Sequence, residues 1–155
     1  MRLVLVIGVC AGLLACSTKY QDMGFSGGVA AEQITTDTWR IKARGNAYTT
    51  GTLVQDFVLM KAAETTIAAG GTHFVIGSSQ DASRQGAIVT SGTAHTSFSA
   101  GQAFTTFTPG DVHTYVKPGQ DAYVRVLRLP PGAAAPPGAL SAAEIIRFIG
   151  PRLQS

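Results

Sequence analysis

The stretch "TLVQDFVLMKAAETTIAAGG", residues 52–71, decides how the chain is organised. Leu, Met, Lys, Gln, Glu and repeated Ala are strong helix formers. Thr52 and Gln55 stand at the spacing of a capping box, and Gly70-Gly71 supply a stop, so the stretch predicts a helix from Thr52 to Ala69. Leu53, Phe57, Met60, Ala63 and Ile67 fall along one side, while Val54, Val58 and Ala62 form a second apolar stripe. A helix apolar on two sides packs against more than a single sheet face, which makes it the centre of the fold. Glu64 lies beside the first stripe, where an unpaired carboxylate is costly, and Arg44 or Lys61 is its expected structural partner.

Both flanks of the helix read as strands. Upstream, Trp39, Ile41 and Ala43 alternate with Arg40, Lys42 and Arg44, the period of a half-buried strand, and Gly45-Asn46 ends it. The three cations form either the solvated side of that strand or a site for a polyanion or a lipid headgroup. Downstream, "THFVIGSS" (72–79) is a short apolar run bounded by Gly and Ser, and strand, helix and strand within about forty residues suggest a crossover unit. From Ser78 to Ala100 the chain turns to Ser, Thr, Gly, Gln and Ala, a mobile insertion or loosely paired hairpin. "QAFTTFTPGDVHTYVKPGQDAYVRVLRL" (102–129) then reads as consecutive antiparallel strands of one sheet, divided at Pro109-Gly110 and Pro118-Gly119. "PPGAAAPPGAL" (130–140) reads as a stiff extended connector. It leads to a final helix with a capping box at Ser141 and Glu144, a staple of Leu140 and Ile145, and an end at Gly150-Pro151. Its apolar residues require it to dock.

The N-terminal residues carry the targeting information. Arg2, an apolar run from Leu3 to Leu14 too short to span a bilayer, and the small Ala15 have the three-part form of an export signal. Cys16 follows Leu-Leu-Ala as in a bacterial lipobox, with cleavage between Ala15 and Cys16 and lipid attachment at Cys16; the alternative is cleavage by the ordinary signal peptidase, which leaves Cys16 a free thiol. Cys10 lies inside the apolar run and leaves with the leader, so the mature chain has no second cysteine for a disulfide. By resemblance to diderm lipoproteins, Ser17 rather than Asp after the cysteine implies forwarding to the outer membrane instead of retention in the inner one. The segment 17–28 is rich in Ser, Thr and Gly and reads as a tether docked through Tyr20 and Phe25.

At 155 residues, 45% hydrophobic and 14% charged, the chain is one domain's worth and falls below the roughly 25% charged content of ordinary soluble proteins. The net charge of +3 is scattered, which argues against a nucleic-acid footprint. The expected fold class is α/β (α+β): a two-layer sandwich with a mixed, largely antiparallel sheet packed by one central helix and a short C-terminal helix. Residues 1–15 are expected to be the signal peptide and 16–28 the lipidated N-terminus and tether. Residues 29–155 form a single globular domain with a polar insertion at about 78–100.

The assembled pieces resemble a family of small, mostly uncharacterised proteobacterial lipoproteins. The matching elements are Tyr20 with Gly27-Gly28, "WRIKARGN" (39–46), "KAAETTI" (61–67), "GGTHFV" (70–75), "KPG" (117–119) and the closing "AAEIIRFIGPRL" (142–153). The resemblance implies a location and a fold, and carries no enzymatic activity.

Chemistry is sparse. His73, His95 and His113 lie in different predicted elements with no carboxylate or cysteine at ligand spacing. No Gly-x-Ser-x-Gly elbow, carboxylate pair or phosphate loop is present, so no catalytic residue, metal or cofactor is implied. The expected role is a membrane-anchored periplasmic interaction or structural module that meets an envelope protein or the cell wall, with no nucleic acid among its partners. The alternatives are a small hydrolase or metal enzyme built on the three histidines, and a polyanion binder using Arg40, Lys42 and Arg44.

Overall fold

The structure is a computed structural model that describes residues 17–154. Ala15, Cys16 and the expected leader lie outside the described residues. The chain divides into two compact units, one formed by the chain up to Arg84 and from Lys117 onward, the other by Gln85–Val116.

The first unit follows the predicted class. Strands β1 (Gly28–Gln33) and β2 (Thr38–Arg44) lead into helix α1 (Gly51–Ala68), and β3 (His73–Asp81) follows it. After the second unit come β8 (Gly119–Leu127), the short β9 (Leu140–Ser141) and helix α2 (Ala142–Leu153). The sheet order is β1-β2-β8-β3-β9, with β8 antiparallel to both β2 and β3. The expected crossover from β2 through α1 to β3 is therefore present, with β8 lying between its two parallel strands.

One side of the sheet carries the core. In register across the strands lie Val29 and Ala43, Ala31 and Ile41, Ile41 and Ala122, Trp39 and Val124, and Phe74 and Val126. Against them α1 buries Val54, Phe57, Val58, Met60, Ala62 and Ala63. The helix meets four strands and α2, which accounts for both of its apolar stripes. Ile67, assigned to the first stripe, is instead half exposed because the sheet and α2 cover only the helix sides that hold Ala63 and Thr66.

Several expectations need correction at element ends. The α1 cap is Thr50, not Thr52: its hydroxyl accepts from Leu53 N at 3.2 Å. The turn before it is set by the Asn46 carboxamide, which accepts from Tyr48 N and Thr49 Oγ1 and so brings Thr50 into the extended cap geometry. The stop holds as read: Gly70 has φ 73°, its N–H reaches Ile67 O, and Gly71 N–H reaches Thr66 O, closing a Schellman motif. Ser141 caps α2 by accepting from Glu144 N at 3.4 Å, as predicted. The helix then runs through Gly150 and Pro151 to Leu153, because Gly150 packs close to Met60 of α1 and holds the last turn in place.

The connector between β8 and β9 is not extended. Ala133 N bonds Pro130 O and Ala139 N bonds Pro136 O, with Gly132 and Gly138 both at φ 79°. Each Pro-Pro-Gly-Ala is a type II turn, Pro fixing one central residue and Gly supplying the positive φ of the next.

Residues before β1 are bound to the core rather than loose. Gln21 O and Val29 N bond, as do Met23 N and Val29 O, so this segment lies along the outer edge of β1. That path needs Gly27 and Gly28, at φ 104° and 127°, since a side chain at Gly28 would strike the Asp22 and Gln21 carbonyls. Tyr20 docks as expected, packing edge-on against Phe57 at 5.6 Å and donating its hydroxyl to Glu64 Oε2 at 2.6 Å. Phe25 does not dock: it is fully exposed, because the turn at Gly24 to Gly27 points the chain away from the core.

Burial, followed by the hydrogen bond to Glu64 and the Glu64 and Asp22 charges, pushes the Tyr20 phenol well above its ordinary value of 10.0. The folded state then keeps a proton that the unfolded chain releases, so this stabilisation is complete below pH 10 and is lost as pH rises further. Tyr20→Phe is expected to lower the unfolding free energy by about 1–2 kcal/mol at neutral pH. Denaturant melts of both proteins across alkaline pH should show the gap closing as pH rises.

Candidate functional site

The second unit is a β-ribbon. Strands β4 (Arg84–Val89) and β7 (Val112–Lys117) pair in one two-stranded sheet, and β5 (Thr93–Ser99) and β6 (Gln102–Thr108) in another. The segment 78–100, predicted as a mobile insertion or a loosely paired hairpin, is paired but differently divided: β3 continues to Asp81, and the inserted unit spans Gln85–Val116. The strands expected to share one sheet, residues 102–129, fall into three, because Pro109-Gly110 is no hairpin turn. It lies opposite Thr90 and Gly92, where a side chain on Gly110 would strike the Thr90 carbonyl, and it interrupts the ladder between the two pairs. The turn that reverses the chain is Ala100-Gly101, with φ 50° and 76°, a two-residue type I′ hairpin.

The β5–β6 face carries a pattern not recognised in the sequence. Ala94-His95-Thr96-Ser97-Phe98 and Ala103-Phe104-Thr105-Thr106-Phe107 both read Ala-x-Thr-x-Phe. Antiparallel pairing places Ala94 opposite Phe107, Thr96 opposite Thr105 and Phe98 opposite Ala103. All six point to one side of the ribbon, since directly paired residues share a face. The result is a local two-fold pattern with the phenyl rings on one diagonal and the alanine notches on the other. The Thr96 and Thr105 hydroxyls bond at the centre, 2.9 Å apart.

This surface is open. Phe98 is 81% and Phe107 67% exposed, and Ile88, Val89, Phe104, Val112 and Val116 are each more than half exposed. Asp111 is the only Asp, Glu, Lys or Arg between Gln85 and Val116. Every strand of a two-stranded sheet also has an unpaired edge. Exposed apolar area of this kind, with free edges and little charge, is what a protein-binding surface requires. The first unit is the opposite case: residues 21–23 run along the β1 edge, and β9 covers β3 at His73 and Phe74.

The cations of β2 are on the sheet side away from α1, and they are satisfied. Glu32 receives hydrogen bonds from both Arg40 and Lys42, the Lys42 Nζ contact being 2.5 Å. Those bonds, the Lys42 one first, hold the Glu32 carboxyl below its ordinary value of 4.5. Arg44 meets Asp121 at 2.6 Å. Lys61, one of the two expected partners of Glu64, lies 3.6 Å from it, whereas Arg44 is committed elsewhere. The Arg40, Lys42 and Arg44 row is therefore a salt-bridged strand face.

A shallow cleft of about 590 Å³ opens between β1 and α1, lined by Val29, Ala31, Trp39, Lys61, Glu64 and Thr65. The Trp39 indole N–H is buried and finds no acceptor among the described residues.

The histidines stay apart. His73 Nδ1 lies 3.0 Å from Thr72 Oγ1 in the first unit, His113 Nε2 is 3.6 Å from the exposed Asp111, and His95 pairs with Thr106 in the ribbon. Among the described residues no group of three His, Cys, Asp or Glu side chains is placed to hold a metal ion. Also among them, no helix is long and apolar enough to cross a membrane.

Comparison with protein-family models, with curated proteins and with solved structures returns no match.

Because Phe98 and Phe107 serve no core, Phe98→Ser with Phe107→Ser should change the stability of the first unit by no more than about 0.5 kcal/mol. The double variant should also lose binding of an apolar fluorescent dye. A large fall in the thermal midpoint would show instead that the two rings support the fold.

Proposed function

We propose that the protein is a lipid-anchored bacterial envelope protein of the lipoprotein family it resembles, and that it acts by binding a protein partner through the Gln85–Val116 ribbon. On this reading Cys16 is acylated after cleavage at Ala15. The anchor holds the protein at the periplasmic side of the outer membrane, and the ribbon is the part that recognises. The observation that carries the proposal is the Ala-x-Thr-x-Phe face, with Phe98 and Phe107 exposed on a unit whose apolar residues do not serve the α1 core. An isolated two-stranded hairpin is marginal in water. A partner that covers this face would bury two phenyl rings and give the ribbon a third strand.

The hydrolase alternative has no geometric support from the described histidines, and each of the three strand cations is salt-bridged to Glu32 or Asp121. Binding through an apolar ribbon whose one charged residue is Asp111 should be nearly indifferent to salt, unlike binding through a polycation.

A photo-crosslinking residue placed at Phe98 in living cells is expected to give one discrete adduct that disappears when Phe107→Ser is added. The same residue placed at Gln33 should give none. Recovery of the protein without an adduct from the Phe98 position, across growth conditions, would remove the ribbon as the binding surface. Intact mass of the native protein tests the address separately: a triacylated Cys16 N-terminus is expected in the outer-membrane fraction, and an unmodified soluble form would overturn it.

A further inference from the structure

Thr18 is the second residue after the expected lipid attachment site, and it is already locked into the fold. It is 3% exposed. Its N–H donates to Thr49 Oγ1 at 3.0 Å, its hydroxyl donates to Ser26 O at 2.9 Å, and Asn46 N–H donates to that same hydroxyl at 2.9 Å. Gly27 packs against its methyl group. The expected tether of 16–28 is therefore no spacer. Two residues of extended chain reach at most about 7 Å, so acyl chains on Cys16 would hold the Thr18 corner of the domain within the headgroup layer.

What lies beside that corner suits such a position. Ser26, Gly27 and Asn46, all in contact with Thr18, line a groove of about 590 Å³ together with Phe25, Arg44 and Lys42. Arg84 and Lys117 complete it, and no Asp or Glu is among the lining residues. Lys42 and Arg44 share their charge with Glu32 and Asp121 outside the groove. Arg84 and Lys117 are the other cationic side chains of its lining. Phe25 stands fully exposed at the tip of the turn, with Met23 39% exposed beside it. An aromatic tip flanked by cations next to a lipidated residue combines the two signals that stable surface attachment takes, buried apolar area and attraction to anionic lipid.

We propose that this corner is a membrane-docking surface, in which Phe25 enters the acyl boundary and the groove around Arg84 and Lys117 takes the phosphates of anionic phospholipid headgroups. The domain would then lie flush on the bilayer in one orientation instead of swinging from a leash. The inference rests on acylation at Cys16, which intact mass decides independently.

The test uses the native processed protein carrying Phe25→Cys, whose thiol is unique once Cys16 is acylated, labelled with a nitroxide and reconstituted into phosphatidylethanolamine vesicles containing phosphatidylglycerol. The reference label is at Gln33, at the far end of β1. At position 25 collision with dissolved oxygen should rise, and collision with an aqueous nickel chelate should fall, relative to Gln33. Arg84→Ser with Lys117→Ser, or vesicles of phosphatidylcholine alone, should abolish that protection. If the mass shows acylated Cys16 while the label at 25 is as open to the nickel chelate as that at Gln33, the docking surface is wrong and the anchor stands. Protection that survives both loss of the two cations and neutral lipid overturns the headgroup site. An unmodified Cys16 overturns the anchor and with it the flush geometry.

Discussion

Strand β8 is the constraint on which the rest of the structure depends. It bonds to both β2 and β3, and it supplies Ala122, Val124 and Val126 to the middle of the face that α1 covers. Because β3 and β8 are antiparallel neighbours, the chain between them must leave and return at one place. The bond from Ala82 N to Gly119 O and that from Gly119 N to Ser83 Oγ close this base. Loop-closure entropy grows slowly with length, so a hairpin already closed by its ladder can carry a long insertion at little cost. The residues between Gln85 and Val116 are thereby relieved of any duty to the core, and their composition can answer to a different requirement.

That separation explains which parts of the fold were legible in the sequence. The α1 stretch, the alternation of Trp39, Ile41 and Ala43, and the Gly70-Gly71 stop are local signals, each set by residues within one or two turns, and each is found where it was read. The sheet membership of the later strands was not legible, because pairing of β7 with β4 and of β8 with β2 depends on partners far along the chain. A Pro-Gly pair marks a change of direction but not its kind. At Pro109-Gly110 it breaks a ladder, whereas in 130–133 and 136–139 the Pro-Pro-Gly-Ala repeats close turns.

Site reading met the same limit. Three cations on one strand look like a binding surface until Glu32 from β1 and Asp121 from β8 are set beside them, and neither neighbour is fixed by the local pattern. Conversely, the phenyl diagonal was within reach. The repeated Ala-x-Thr-x-Phe on either side of Ala100-Gly101 is a signal of two strands facing one way, but the abundance of Ser, Thr and Gly around it reads first as polarity. Thr18 lacked any signal: its burial comes from Ser26, Asn46 and Thr49, which only the fold gathers.

The placement of β8 also bears on the order in which the molecule can assemble. A chain that emerges N-terminus first presents β1, β2 and α1 long before residues 119–127 are available, and until then the face holding Ile41 and Ala43 lacks its central neighbour. Most of the polypeptide must be through before a cooperative core can close, since the paired residues of β2 and β8 lie seventy-five or more positions apart. A late-closing sheet leaves the nascent chain without a cooperative core until residues 119–127 have emerged, and makes the closing of that core a slow, non-local step.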